Sequence, residues 1–347
     1  MTSFDNYKDN GLSGLANLGN TCFVNSCIQV LSHTYELNNF LNNGNYKRKL
    51  QNKYESVLLL EWDNLRTLLW SDNCIISPGK FITTVQKIAK IKDQDLFTGF
   101  AQNDLPEFLL FLIDSFHISL SREVNMSING EIANDTDKMA VQCFEMTKKM
   151  FSKEYSEIWN MFYGIHVSQL ISLETGEVLS SSPEPYFMIN LSLPANNKNP
   201  SLKDCFDLYI NGEIMEGENA WYNEATNQKQ AVQKKIMYWS MPSIMVIDIK
   251  RFNNKNQKNQ THVTFPLEDF NVSDYVVGYK KESYIYDLYG ICNHGGGVHG
   301  GHYTAFIKNA NGKWYHFNDT SVTEVTNLSD LITPKAYCLF YRKKTIQ

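Results

Sequence analysis

The sequence predicts an α+β fold, on three observations. Apolar residues recur at helical spacing from residue 11 to about 160. Those from Gly164 to about Trp239 alternate with polar residues between turn signals, and residues 240–347 continue as strands. Helices gathered at one end of a chain and strands at the other mark this class. At 347 residues the chain exceeds a typical single domain and can bury a large core, so subdomains are expected. No internal repeat is visible.

The first element opens at Gly14-Leu15-Ala16-Asn17-Leu18-Gly19-Asn20-Thr21-Cys22. This glycine-containing loop runs straight into the apolar-periodic segment Cys27-Ile28-Gln29-Val30-Leu31. Asn20 or Thr21 can cap the helix. A thiol at a helix N-terminus feels the positive end of the macrodipole, which favours thiolate and lowers the pKa. Cys22 is therefore expected as a nucleophile. Taken alone, it reads as a small buried residue opening a core helix, the commoner fate of a lone cysteine.

Asp104 to Leu120 has a capping Asp and dense apolar spacing at Leu105, Phe108, Leu109, Leu112, Ile113 and Phe116, a core helix. Ser121 to Asp137 is polar and reads as a loop, and Phe144 to Phe162 as another helix. Thr175-Gly176 and Asn211-Gly212 punctuate the strands that follow. The run Asn253 to Gln260 is too polar to pack and reads as a mobile loop.

The last strands carry a second chemical signal. The loop Asn293-His294-Gly295-Gly296-Gly297-Val298-His299-Gly300-Gly301 feeds His302 onto the strand Tyr303 to Lys308. Asn311-Gly312 is a hairpin turn, and the return strand Lys313 to Phe317 ends at Asn318-Asp319. A two-residue turn would pair Asn318 with Ala305 and point His302 to the other face. A three-residue loop pairs Asn318 with Thr304, and His302 then shares a face with Asn318. The longer loop or a bulge is expected. A cysteine, a histidine and an Asn or Asp that orients it form the thiol-protease constellation. Alone, His302 would read as a satisfied surface histidine.

Composition narrows the rest. The hydrophobic fraction of 43% is ordinary for a globular protein. A net charge of −5 argues against nucleic acid and anionic membranes, and suits a partner with a basic face. Met1 to Asn10 is polar, so no signal peptide is expected. No stretch nears the ~18 apolar residues of a membrane span. Seven cysteines without framework spacing suit a reducing compartment. Asn-x-Ser/Thr triplets at Asn125, Asn134 and Asn190 read as coincidence in so Asn-rich a chain.

With both boxes in view, the chain resembles the catalytic domain of the ubiquitin-specific proteases, papain-like cysteine deubiquitinases. The resemblance rests on a cysteine box, Gly14 to Leu31, and a histidine box, Tyr289 to Asp319. Between them, Gln102-Asn103-Asp104-Leu105-Pro106-Glu107-Phe108 resembles the family's Gln-Gln-Asp-x-x-Glu-Phe helix start. Phe162-Tyr163-Gly164 with Ser168 resembles the entry to the fingers, Pro242 to Phe252 the strand that closes in Lys-Arg-Phe, and Ala336 to Tyr341 the last strand. It spans residues 11 to 343. It implies a papain-like fold with a helical thumb (11 to about 160), β fingers (164–239, interleaved with palm strands) and a β palm (240–347). Residues 1–10 would be a tail, and the active site would lie between thumb and palm.

The resemblance also implies roles. Cys22 would attack the isopeptide carbonyl at the C-terminal glycine of ubiquitin, with His302 as general base and then acid. Asn318 would orient the ring, with Asp319 as an alternative or auxiliary third residue. Asn17 would donate to the oxyanion beside the Cys22 N–H. Asp104 and Glu107 match acidic positions that grip ubiquitin's basic tail, as carboxylates accept paired arginine bonds; plain helix capping is the other reading of the pair. Gly300 and Gly301 would let the Gly-Gly end lie flat against backbone. Tyr303, Trp314 and Tyr222 are aromatic candidates for lining the channel. The implied partners are ubiquitin and ubiquitinated proteins, handled by a monomer in the cytoplasm or nucleus, without nucleic acid or membrane. A protease for a ubiquitin-like modifier and a non-catalytic ubiquitin-binding scaffold are the alternatives. Intact Cys22, His302 and Asn17 oppose the scaffold.

The clearest departure lies in the fingers. Family members often carry two Cys-x-x-Cys pairs there, binding structural zinc. The flanking blocks align those positions with Ser172 and Thr175, and with Asn223 and Thr226. None is a thiol and no Cys-x-x-Cys occurs in the chain, so neither metal nor cofactor is expected. His166 nearby reads as structural. Pro106 falls in the first helical turn, where proline costs little.

Overall fold

The computed structural model describes residues 4–99, 101–224, 226–297 and 300–345. Helices dominate the first part: α1 (Cys22–Ser32), α2 (Tyr35–Asn42), α3 (Glu55–Leu69), α4 (Gly79–Ile91), α5 (Leu105–Leu120), α6 (Asp135–Phe151) and α7 (Glu157–Phe162). Two short strands, β1 (Gly14–Leu15) and β2 (Ile75–Ile76), pair in parallel among them. The strands β3 (Gly164–Ser172), β4 (Val178–Tyr186) and β5 (Met188–Ser192) lead to α8 (Leu202–Asn211). Next come β6 (Glu213–Met215), β7 (Trp221–Asn223), β8 (Gln228–Gln230), β9 (Val232–Ser240), β10 (Ile244–Lys250) and β11 (Phe270–Asn271). The chain ends with β12 (Ile285–Gly297), β13 (Gly300–Lys308), β14 (Trp314–Asn318), β15 (Ser321–Val325) and β16 (Ala336–Lys343).

One large sheet runs in the order β15-β14-β13-β12-β16-β10-β5, with β11 beside β12. The order β4-β3-β9-β6 forms a second sheet, in the stretch where the fingers are expected, and β7–β8 a separate ribbon. Successive side chains of a strand point to opposite faces. In β16, Cys338 and Phe340 therefore join the core under the helices, while Leu339 and Tyr341 join a second core on the other face, with Phe206 of α8. Helix α1 is buried along its whole length, packed against β12, β13, β14 and α5. Its polar side chains are buried with partners: Asn25 Nδ2 donates to Asp319, Gln29 Nε2 to the Ser13 carbonyl and the Ser32 hydroxyl to the Gln29 carbonyl.

Several expectations change. The helix read from Phe144 to Phe162 is two helices. α6 starts earlier, because Asn134 and Asp137 form a capping box inside the polar run. The break follows Phe151, where Tyr155 pairs in a bridge with Arg122. The stretch read as strands contains α8, which Ser201 and Asp204 cap in the same manner. Asn211-Gly212 is the end of that helix rather than a hairpin, whereas Thr175-Gly176 does join β3 to β4. The polar run from Asn253 is tied down: Phe252 pairs with Lys258, and the Asn259 N–H donates to the Arg251 carbonyl at 2.6 Å. The expected tail also packs, with the Tyr7 ring stacked on Tyr35 at 4.5 Å.

Candidate active site

Cys22 is the first residue of α1 and only 2% exposed. Thr21 holds the N-cap position without a capping bond. Its hydroxyl instead accepts from the Leu18 N–H (3.0 Å) and donates to Asn17 Oδ1 (3.3 Å). Burial pushes the Cys22 thiol above its ordinary pKa; the N–H groups of Tyr303, Phe23 and Cys22 oppose this, and the Asp319 charge adds to it. This reverses the expectation of a lowered pKa. The helix start supplies its dipole, but desolvation of the charged form outweighs it.

His302 enters on β13, one residue before the Tyr303 N–H that meets the thiol. The β13–β14 hairpin turns through residues 310–312. The Asn309 N–H donates to the Lys313 carbonyl (2.9 Å), and Gly312 takes a φ of +85°. This is the three-residue loop with a left-handed last residue. The ladder pairs Ala305 with Phe317, so Thr304 falls opposite Asn318. His302 Nε2 then meets Asn318 Oδ1 at 2.7 Å. With the amide oxygen accepting, Nε2 carries the hydrogen, and Nδ1 is left with a lone pair for use as a base.

Asp319 makes different bonds. It holds a φ of +50° in the β14–β15 turn. Asn25 Nδ2 donates to its Oδ1 at 2.8 Å, and Asn17 Nδ2 to its Oδ2 at 3.0 Å. The Leu15 N–H donates to its carbonyl at 2.8 Å. Gly14 permits this approach, since a Cβ there would stand 2.3 Å from the Thr320 carbonyl oxygen. Asn17 Oδ1 accepts from the N–H groups of Gly19 (3.0 Å) and Thr21 (3.2 Å). The second Nδ2 hydrogen of Asn17 takes no part in these bonds. The buried Asn25 is a participant that sequence reasoning missed; it is one of four polar residues on α1, with Ser26, Gln29 and Ser32, and nothing in the sequence sets it apart from them.

Asp104 stands at the N-cap of α5 without a capping bond, and accepts from the Tyr303 hydroxyl at 3.1 Å. Burial raises its pKa. Asp248 of β10, also missed, is pushed up to about 7 by burial and then by the Asp104 charge. Glu107 lies exposed one turn along α5, its pKa raised by burial and by Asp104. Asp104 and Glu107 come from the start of α5 and Asp248 from β10 of the sheet, and the Asp104 charge reaches both of the others. Gly300 is exposed, and both polar groups of Gly301 are bonded by Gln102. Val298 and His299 of the glycine run lie outside the described residues. Tyr303 is buried, with its hydroxyl on Asp104. Trp314 is a core residue beneath the far face of the sheet, not a channel wall, and Tyr222 is exposed on the β7–β8 ribbon.

In the fingers, hydrogen bonds occupy the four aligned positions. Ser172 Oγ accepts from the N–H groups of Glu174 (3.2 Å) and Thr175 (3.1 Å). Asn223 Nδ2 donates to Gln230 Oε1 at 2.9 Å, and the Thr226 hydroxyl to the Asn223 carbonyl at 3.5 Å. His166 stands 3.6 Å from Glu184. Among the described residues no cluster of His, Cys, Asp and Glu is arranged to hold a metal, and no helix is long and apolar enough to cross a membrane.

A family model described as ubiquitin carboxyl-terminal hydrolase matches residues 13–341. Ubiquitin carboxyl-terminal hydrolase 2 of Homo sapiens is 33% identical, covering 95% of this chain and 55% of that protein. Ubiquitin carboxyl-terminal hydrolase 21 of Homo sapiens is 29% identical, covering 96% and 61%. The chain thus spans about half the length of the curated relatives it matches. Among solved structures, the SAGA DUB module of Ubp8, Sgf11, Sus1 and Sgf73 bound to monoubiquitin aligns with a TM-score of 0.74 at 22% identity. The alignment covers 98% of this chain and 71% of that one. The same module bound to ubiquitin aldehyde gives 0.72 at 22% identity, covering 100% and 72%. The expected α+β architecture is the one these structures share. The family match runs from β1 into β16 without leaving out an element of the site, and the chain belongs to the ubiquitin carboxyl-terminal hydrolase family.

Proposed function

We propose that the chain is a thiol-dependent deubiquitinase, hydrolysing the bond after the C-terminal glycine of ubiquitin. The carrying observation is the 2.7 Å bond from His302 to Asn318, on a strand whose next N–H meets the Cys22 thiol. The relatives' names, and the monoubiquitin bound to a structure of this fold, support ubiquitin as the substrate.

Burial keeps the thiol protonated, so His302 Nδ1 takes the proton as sulfur attacks the glycine carbonyl. Charge then develops on the carbonyl oxygen. The Cys22 N–H and the second Asn17 hydrogen would stabilise it, and loss of one such donor costs roughly 10²–10³ in rate. The imidazolium gives its proton to the leaving lysine amine. A water deprotonated by the same nitrogen then cleaves the thioester, releasing the glycine carboxylate and restoring the thiol. Asp104, Asp248 and Glu107 would hold the basic tail. All these groups come from one chain, so a monomer suffices.

Ubiquitin carrying a C-terminal electrophile tests the reading. One adduct is expected, mapped by mass spectrometry to Cys22. An adduct on Cys27 or Cys143 would overturn the assignment. Reaction only with a ubiquitin-like modifier bearing the same trap would overturn the substrate.

A further inference from the structure

Gly301 precedes His302 and is held from two sides. On the helical side, the Gln102 carboxamide reaches across the cleft. The Gly301 N–H donates to Gln102 Oε1 at 2.9 Å, and Gln102 Nε2 donates to the Gly301 carbonyl. A side-chain amide here does what a neighbouring strand does in an antiparallel ladder, satisfying both polar groups of one residue. On the sheet side lies the His294 ring. A Cβ at position 301 would stand 2.1 Å from His294 Nε2, so only glycine fits between ring and carboxamide.

His294 is itself fixed. The Lys258 ammonium donates to its Nδ1 at 3.1 Å and to its carbonyl at 2.5 Å. The ring packs against Tyr303 and Tyr337, with centroids at 4.6 and 5.6 Å. Burial, then the Lys258 charge, hold its pKa down to about 4, so it stays neutral. The β12–β13 ladder pairs Gly296 with Gly301 and Gly295 with His302. Glycine-rich strands fix register weakly, so the ladder alone leaves the start of β13 loosely set.

We propose that Gln102 and the Lys258–His294 pair grip Gly301 as a vise that sets His302 for proton transfer, which makes Gln102 and Lys258 positioning residues. The proposal rests on the deubiquitinase reading. A vise of this kind acts on the base, so its release lowers turnover and leaves ubiquitin affinity alone.

The test uses the full chain with Gln102→Ala, Gln102→Glu, Lys258→Met and Lys258→Arg. Three readouts are taken: kcat and KM on a ubiquitin–fluorophore substrate, ubiquitin Kd in a Cys22→Ala background, and the pH profile of Cys22 alkylation by iodoacetamide without ubiquitin. Gln102→Ala and Lys258→Met are expected to lower kcat at least tenfold, with Kd unchanged and the alkylation profile shifted. Gln102→Glu keeps an acceptor but loses the donor, and falls between. Lys258→Arg regains part of the loss. Unchanged kcat and an unchanged alkylation profile would overturn the proposal. So would tighter ubiquitin binding at unchanged kcat, which would make Gln102 a bar that substrate displaces. Wild-type protein that leaves the ubiquitin substrate uncut would sink the deubiquitinase reading instead, and the alkylation profiles would still report on the vise.

Discussion

Two consecutive acceptors at the end of β14 serve different partners: Asn318 bonds the His302 ring, and Asp319 bonds two side-chain amides. Their truncations therefore fail differently. Asn318→Ala frees the ring and should lower kcat/KM by roughly 10²–10⁴, the span of general-base catalysis. Asp319→Ala releases Asn17, so it should resemble Asn17→Ala, each costing roughly 10²–10³. The double variant Asn17→Ala/Asp319→Ala should then lose little more than either single one. Kinetics on a ubiquitin–fluorophore substrate check this, and fully additive losses would assign Asp319 to the ring instead. A pH effect belongs here too. Asp248, titrating at about 7, carries its charge only above that pH. Affinity for a basic tail should rise as pH goes from 6 to 8, and Asp248→Asn should flatten the rise. Calorimetry on a Cys22→Ala background would measure it. Cys22, His302 and Asn318 were legible because glycines, a helix start and a hairpin mark them locally. Asn25, Gln102 and Asp248 were not, because their partners lie far along the chain; Asn25 and Asp319 are 294 positions apart.

The fingers are held by the β4-β3-β9-β6 ladder, by turn bonds at Ser172 and by a bond from Asn223 of β7 to Gln230 of β8. Chelators should leave both the melting midpoint and activity unchanged, and elemental analysis should find well under one zinc per chain. A stoichiometric, tightly held zinc would contradict this. At the start of α7, Glu157 accepts from Lys49 (2.6 Å) and from both terminal nitrogens of Arg122 (3.0 and 2.7 Å). Burial works to raise its pKa, but these bonds win and hold it at about 2 against an ordinary 4.5. Its contribution to stability is therefore complete above pH 4.5 and drains away as pH falls towards 2. Glu157→Gln should cost on the order of 1–3 kcal/mol near neutrality and remove that part of the acid slope, as urea denaturation at several pH values would show. Element boundaries were the least legible level. The boxes that open α6 and α8 sit in polar stretches, where Asn134 and Ser201 also look like ordinary loop residues.

At the scale of the whole molecule, the sequence carried the class and the order of the parts, because periodicity is local. It did not carry the strand order. Nothing in residues 188–192 announces that β5 leaves the fingers to pair in parallel with β10. What that sheet packs against is α1, buried throughout, with Gln29 Nε2 donating to the Ser13 carbonyl and the Ser32 carbonyl accepting from Asn38 Nδ2 and Trp70 Nε1. In terms of hydrogen exchange, such a helix has no local opening of its own. Its amides, from the first turn behind Cys22 to the last, should exchange only when the whole domain unfolds. Ubiquitin binding should therefore add protection at Gln102 and Gly301 and beyond global stabilisation add none to α1, leaving the helix that bears Cys22 as the molecule's internal gauge of unfolding.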